Sequence, residues 1–250
     1  MSMLKITAFN GSPKGKKSAT HIMVEEFLAG ASQAGAEVEN ILLAKRKIKH
    51  CLGCFSCWTK HLGKCVIKDD MADLLVKLKN SDIVVFATPL YIDNVSGILK
   101  VFMDRSIPLG TPYFEKDEQG EYRHGDREGY SASFERVPKL VIISNAGFPE
   151  QSHFQVLSLL MKRVARNLHS EVIAEIYRGQ GPFLLAPVKE LLPVIEKYKT
   201  LLRQAGHELV TDLRLTGDTK KALNEPLVPH DMYIYHVTKY WDYAIKSNDR

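Results

Sequence analysis

The stretch Phe9-Asn10-Gly11-Ser12-Pro13-Lys14-Gly15-Lys16-Lys17-Ser18-Ala19-Thr20 joins two segments of different period. Residues 4–9, leading into it, are a mainly apolar run with Leu4, Ile6, Ala8 and Phe9, which reads as a short buried strand. Residues 21–34 after it have the amphipathic spacing of a helix. Strand, small-residue turn and helix start together suit an anion. The first backbone N–H groups of a helix are unpaired, and the macrodipole puts partial positive charge there. Gly11 and Gly15 permit close backbone approach, Ser12, Ser18 and Thr20 supply hydroxyls, and Lys14, Lys16 and Lys17 supply charge. The same residues also fit an ordinary strand-to-helix turn with Ser18 as N-cap. Two well-known phosphate loops are excluded. Only three residues separate Gly11 from Gly15 where Walker A has four, and no G-x-G-x-x-G occurs here.

The bulk numbers bound the rest. At 250 residues the chain suits one domain with insertions. Charged residues at 25% and hydrophobic residues at 45% are ordinary for a globular protein. The net charge of +5 favours anionic ligands mildly. Lys45, Arg46, Lys47 and Lys49 lack interleaved aromatics and read as a solvated face rather than a nucleic-acid surface. No leader pattern and no long apolar run is evident, so the expectation is a cytoplasmic protein without a membrane span. All four cysteines fall between positions 51 and 65, unlike a secreted disulfide framework.

Further strands are read at 37–43, 83–87, 140–144 and 172–176, and helices at 70–80, 96–105, 152–168 and 187–205. The continuous run Ile83-Val84-Val85-Phe86-Ala87 has the character of a central parallel strand. Residues 106–137 show no period and read as a long excursion, a lid or a dimer contact. The aromatic segment 233–243 reads as a C-terminal helix packing on the core or on a second subunit. Strand and helix alternate five times, which implies a parallel sheet covered on both faces. Ligands of such sheets sit beyond the carboxyl ends of the strands, here segments 11–20, 88–94 and 144–148.

Three motifs then agree in order. The hydroxyl-rich first loop, Pro89-Leu90-Tyr91 running into Leu99-Lys100-Val101-Phe102-Met103-Asp104-Arg105, and Ser144-Asn145-Ala146-Gly147-Phe148-Pro149-Glu150 together resemble the flavodoxin-like NAD(P)H-dependent FMN reductases. The resemblance spans about residues 5–177. It implies an α/β fold, a flavodoxin-like doubly wound five-stranded parallel sheet of order 2-1-3-4-5, with a long insertion and a C-terminal helical extension. An FMN-binding domain is expected over residues 1–210, with the extension at 211–250. Carried over, Ser12, Lys14, Ser18, Ala19 and Thr20 would hold the FMN phosphate, although which lysine reaches it stays open. Pro89, Leu90, Tyr91 and Asn94 would contact the ring, with Ser144 and Gly147 beside it. NAD(P)H would be the substrate that donates hydride. Such chemistry needs little from protein acids or bases, so no catalytic residue is nominated.

Cys51-x₂-Cys54-x₂-Cys57-x₇-Cys65 is the sharpest motif. Three thiols spaced two residues apart can converge on one centre, and the fourth returns after a short loop. The first three spacings match the bacterial ferredoxin run. The whole resembles the iron–sulfur flavoproteins, which implies a [4Fe–4S] cluster. Zinc and free thiols remain alternatives, because zinc sites show paired ligands across a longer loop and buried cysteines make good core residues. His50 and His61 read as solvated.

Three functions therefore compete. They are an FMN-dependent oxidoreductase with a small acceptor, an iron–sulfur flavoprotein relaying electrons to a redox protein, and a non-redox phosphate-ligand binder. The excursion and the aromatic tail suggest a homodimer or homotetramer. In that assembly a cluster at the sheet edge would pass electrons to the neighbour's flavin.

Overall fold

The computed structural model describes residues 3–125 and 137–248. Five parallel strands form the central sheet: β1 (Lys5–Asn10), β2 (Glu37–Leu42), β3 (Ile83–Pro89), β6 (Lys139–Asn145) and β7 (Val172–Arg178). Between β3 and β6 lies a separate antiparallel hairpin, β4 (Phe114–Lys116) and β5 (Tyr122–His124). The sheet order is β2-β1-β3-β6-β7, which is the expected 2-1-3-4-5 when only its own strands are counted.

Strand alternation distributes the core over two layers. Ile6, Ala8, Val85, Ala87, Val141 and Ile143 face α1 (Ala19–Gln33) and α6 (Leu192–Thr211). Phe9, Val84, Phe86, Leu140 and Ile142 face the other way, onto α3 (Met71–Lys79), α4 (Gly97–Asp104) and α5 (Gln155–Asn167). All seven residues of β3 are buried, which matches the unbroken apolar run of its first five, Ile83 to Ala87. The rings of Phe9 and Phe102 stack at 4.5 Å and fasten α4 to the middle of the sheet.

Helices α1 and α6 touch through glycine. A Cβ on Gly30 would collide with the backbone of Arg203, and one on Gly206 with the backbone of Phe27. α6 begins at Leu192 rather than 187, because a 3-10 turn at Lys189–Leu191 precedes it and Pro193 stands in its first turn.

The remaining chain is tied down at specific points. The hairpin, expected as part of an aperiodic excursion, docks on α5 through Arg166–Asp117 and Arg163–Glu121 pairs, each at 2.7 Å. Residues 126–136 of that excursion lie outside the described residues. Beyond α6, Leu215, Leu223 and Leu227 join the core, and α7 (Gly217–Asn224) ends against β7. There the buried Arg178 donates to the carbonyls of Leu223 and Glu225. The last helix, α8 (His230–Asn248), buries Tyr233 fully but leaves Trp241, Tyr243 and Ile245 exposed. Among the described residues no helix is long and apolar enough to cross a membrane.

The glycine contact makes a test. Gly206→Ala gains about 0.5–1 kcal/mol of helix propensity but overpacks a backbone contact at about 1–3 kcal/mol, so stability in urea unfolding should fall. Gly217→Ala, whose Cβ meets nothing within 4 Å, should be neutral or stabilising. Equal behaviour of the two variants would refute the close packing of α1 on α6.

Candidate cofactor site and cysteine centre

At the carboxyl edge of the sheet a cavity of about 260 Å³ opens where loops from β1, β3, β6 and β7 meet. That is close to the size of small-molecule sites, roughly 300–1,000 Å³. From the first loop it is lined by Ser12, Lys14, Ser18, Ala19 and Thr20. Pro89, Leu90 and Tyr91 line it from the second loop, and Gly147 from the third. Asn145, Pro182 and Leu185 also line it and were missed by the sequence reading. Asn145 carried a signal, a polar residue ending an apolar strand, whereas nothing local marked the turn after β7.

Two expected residues stand off the cavity. Asn94 accepts the N–H of Val95 with its own side chain and closes a turn with Tyr91. Ser144 is fully buried inside the sheet, its hydroxyl without a partner among the described residues.

The first loop is built as a cradle. Gly15 adopts φ +51°, which lets the chain reverse before a 3-10 turn at Gly15–Lys17. Ser18 Oγ donates to the Gly15 carbonyl at 2.7 Å and accepts the His21 N–H at 3.1 Å. Ser18 is therefore the N-cap of α1, with its hydroxyl already engaged twice. Ala19 and Thr20 occupy the first turn, where N–H groups have no intrahelical acceptor and are suited to receive an anion. Polar contacts then bind loop to loop. Ser96 Oγ donates to the Gly11 carbonyl at 2.6 Å, Asn145 Nδ2 donates to Thr20 Oγ1 at 2.7 Å, and Leu90 N–H donates to the Asn145 carbonyl at 2.8 Å.

The second loop carries strain at its tip. Ile92 and Asp93 both lie in the left-handed region, φ 49° and 53°, and Ile92 is 97% exposed. A β-branched residue there costs about 1–3 kcal/mol. His153 stacks on Phe148 at 3.9 Å, with Asp93 and Glu150 each 3.6 Å away, and so joins the second loop to the third. Tyr233 reaches in from α8 to donate to the Gly147 carbonyl at 2.6 Å. Burial pushes its phenol up to about 12, which keeps it a neutral donor.

The cysteines form a second centre. Cys51, Cys54, Cys57 and Cys65 all line one small cavity against Arg105, Ile107 and Pro108. The loop carrying them follows β2 and includes a single turn of helix, α2 (Ser56–Thr59). Positive φ at Gly53, Phe55 and Gly63 folds it inward, and Trp58 Nε1 anchors it to the Ile107 carbonyl at 3.0 Å. The Gly53 N–H donates to Cys51 Sγ at 3.4 Å. Burial pushes the Cys57 thiol up, and the charges of Cys65, Cys54 and Cys51 add to that. The Ser56 N–H holds the Cys54 thiol below its ordinary value. Among the described residues no three His, Cys, Asp or Glu groups are placed to ligate one metal ion, so the thiols ring a space rather than a point. His50 and His61 are exposed.

The capping role of Ser18 is testable on cofactor-free protein. Ser18→Ala should cost about 1 kcal/mol in urea unfolding, the usual loss of an N-cap. An unchanged midpoint would mean that the hydroxyl is not engaged with Gly15 and His21.

Comparison with known proteins follows the same lines. The family described as NADPH-dependent FMN reductase matches residues 4–120. An iron–sulfur flavoprotein of Methanocaldococcus jannaschii is 39% identical over 106 residues, 42% of this chain and 53% of that protein. The chain spans about half the length of the curated relatives it matches. An FMN-dependent NADH-azoreductase from Bacillus anthracis, solved in complex with FMN, superposes with a TM-score of 0.54 at 17% identity, covering 84% of this chain and all of that one. An NAD(P)H:quinone oxidoreductase from Methanothermobacter marburgensis gives 0.56 at 17%, covering 83% and 98%. At such identities the solved structures speak for the fold alone, which is the flavodoxin-like one. Over residues 4–120 this chain is similar to the NADPH-dependent FMN reductases, and iron–sulfur flavoproteins are among the relatives it matches over that segment.

Proposed function

We propose that this protein is an FMN-dependent oxidoreductase that passes electrons from NAD(P)H to an acceptor, with an iron–sulfur cluster on its four cysteines as the relay. One observation carries the reading: an anion-binding helix start and an apolar, aromatic loop open onto the same cavity. Bound there, FMN would supply hydride acceptance and one-electron release. The chain's own part is binding and orientation. The N–H groups of Ala19 and Thr20 with the hydroxyls of Ser12 and Thr20 suit a phosphate, and Pro89, Leu90 and Tyr91 offer a face to a flat ring. Gly147 leaves open space where a side chain would stand.

The cysteines favour the relay over the simple reductase with a small acceptor. Four thiols around a shared cavity, one already accepting a backbone N–H, suit a multi-iron cluster better than a tetrahedral zinc ion. The exposed apolar residues of α8 favour a homodimer or a dimer-built tetramer as the working unit.

Ser12→Ala with Thr20→Ala should remove two hydrogen bonds to a charged group, each about 1.5–3 kcal/mol, and weaken FMN tenfold or more in a fluorescence titration. Unchanged affinity refutes the phosphate assignment. Wild-type protein that takes up no FMN leaves the non-redox reading. Iron and acid-labile sulfide assays on anaerobic protein decide the relay, and light scattering showing a flavin-loaded monomer at micromolar concentration overturns the oligomer.

A further inference from the structure

Arg105 closes α4 at its C-terminal end and is 1% exposed. Its guanidinium grips the Asp69 carboxylate twice, Nη1 to Oδ2 at 2.7 Å and Nη2 to Oδ1 at 3.0 Å. Nη1 also donates to the Lys49 carbonyl at 2.6 Å. Lys49 and Asp69 flank the cysteine run on either side, so one side chain clasps both ends of the loop. Asp69 completes the clasp by accepting the N–H groups of Lys49 at 2.9 Å and Met71 at 3.1 Å. Arg105 also lines the cavity that the four cysteines share. Among the described residues its buried Nε–H has no hydrogen-bond partner.

A clasp alone does not require a charged pair. Buried ion pairs are commonly replaceable by apolar residues at no loss of stability, whereas an unpaired buried donor carries a cost. A cation beside four sulfur ligands does have a consequence for their charge. Sulfur-ligated clusters are anionic, gain negative charge on reduction, and have potentials set by nearby charge and hydrogen bonds. Coulomb attraction from a buried cation favours the reduced state, and a nearby carboxylate opposes it.

We propose that Arg105 is the positioning residue of the cysteine centre, holding its loop closed and raising the reduction potential of the cluster, with Asp69 as the counter-charge that limits the rise. This rests on the reading of the cysteines as iron–sulfur ligands. The electron concerned is one delivered from the flavin site to the cluster, so no further reductant is involved.

The test compares Arg105→Gln, Arg105→Lys and Asp69→Asn with wild type, purified anaerobically. Iron and acid-labile sulfide are counted per chain, and the midpoint potential of the centre is read by spectroelectrochemical titration. Arg105→Gln should shift the potential negative and Asp69→Asn should shift it positive, while Arg105→Lys should stay near wild type. A merely structural clasp would not give opposite signs. If Arg105→Gln retains no iron, Asp69→Asn decides, and a potential unchanged or lowered there overturns the proposal. Equal or absent shifts in iron-loaded variants overturn it while the cluster reading survives. No iron in wild type overturns the cluster reading itself.

Discussion

Three hydrogen bonds at the carboxyl edge of the sheet hold the cofactor cavity in shape: Ser96 to Gly11, Asn145 to Thr20, and Leu90 to Asn145. Each crosses from one strand-end loop to another. Parallel strands deliver their loops to one edge but leave them free to splay, since loops carry few buried contacts of their own. The cross-ties remove that freedom. Two of them use backbone carbonyls, of Gly11 and Asn145, that would otherwise be stranded away from water, and the third pairs two buried side chains. On the proposed reading, a site for a flat ring and a phosphate at fixed separation requires such rigidity before the ligand arrives.

Helix α4 extends this rigidity to the second centre. Ser96 caps its N-terminus and is tied to the first loop, while Arg105 at the other end clasps the cysteine loop. Nine residues of rise separate the two, or roughly 13 Å at 1.5 Å per residue. Phe102, stacked on Phe9 in the sheet, stops the helix from sliding between them. The geometry of one centre is thus carried to the other by a packed helix, and the two cavities share no lining residue.

The sheet was legible because β3 is buried on both faces and therefore apolar from Ile83 to Ala87, and because the alternation of elements admits few topologies. The first and second loops were legible because hydroxyl, Gly and Pro-x-Tyr positions cluster just where strands end. Other parts left no local trace. Ser18 reads alike as a phosphate donor or an N-cap, and only its bond to the Gly15 carbonyl separates the two. The hairpin of residues 114–124 is held by ion pairs to α5, more than 40 positions away, so no period betrays it. The contact of α1 with α6 rests on two glycines 176 positions apart, each unremarkable in its own helix.

The C-terminal segment answers a question that the bare five-stranded sheet leaves open. Gly147 lines the cavity, and its carbonyl takes the Tyr233 hydroxyl. Tyr233 can reach it only because Arg178 and Gln180, at the end of β7, hold the intervening chain by its backbone. Arg178 takes carbonyls of Leu223 and Glu225, and Gln180 bonds both Leu227 and Val228. A buried guanidinium held by two carbonyls and the face of the Tyr198 ring, 4.2 Å away, gains little stability, since no carboxylate among these partners neutralises its charge. It suits a latch whose geometry must be fixed. The third wall of the cavity is therefore set from residue 233, and a boundary at residue 210 would cut the domain away from part of its own site.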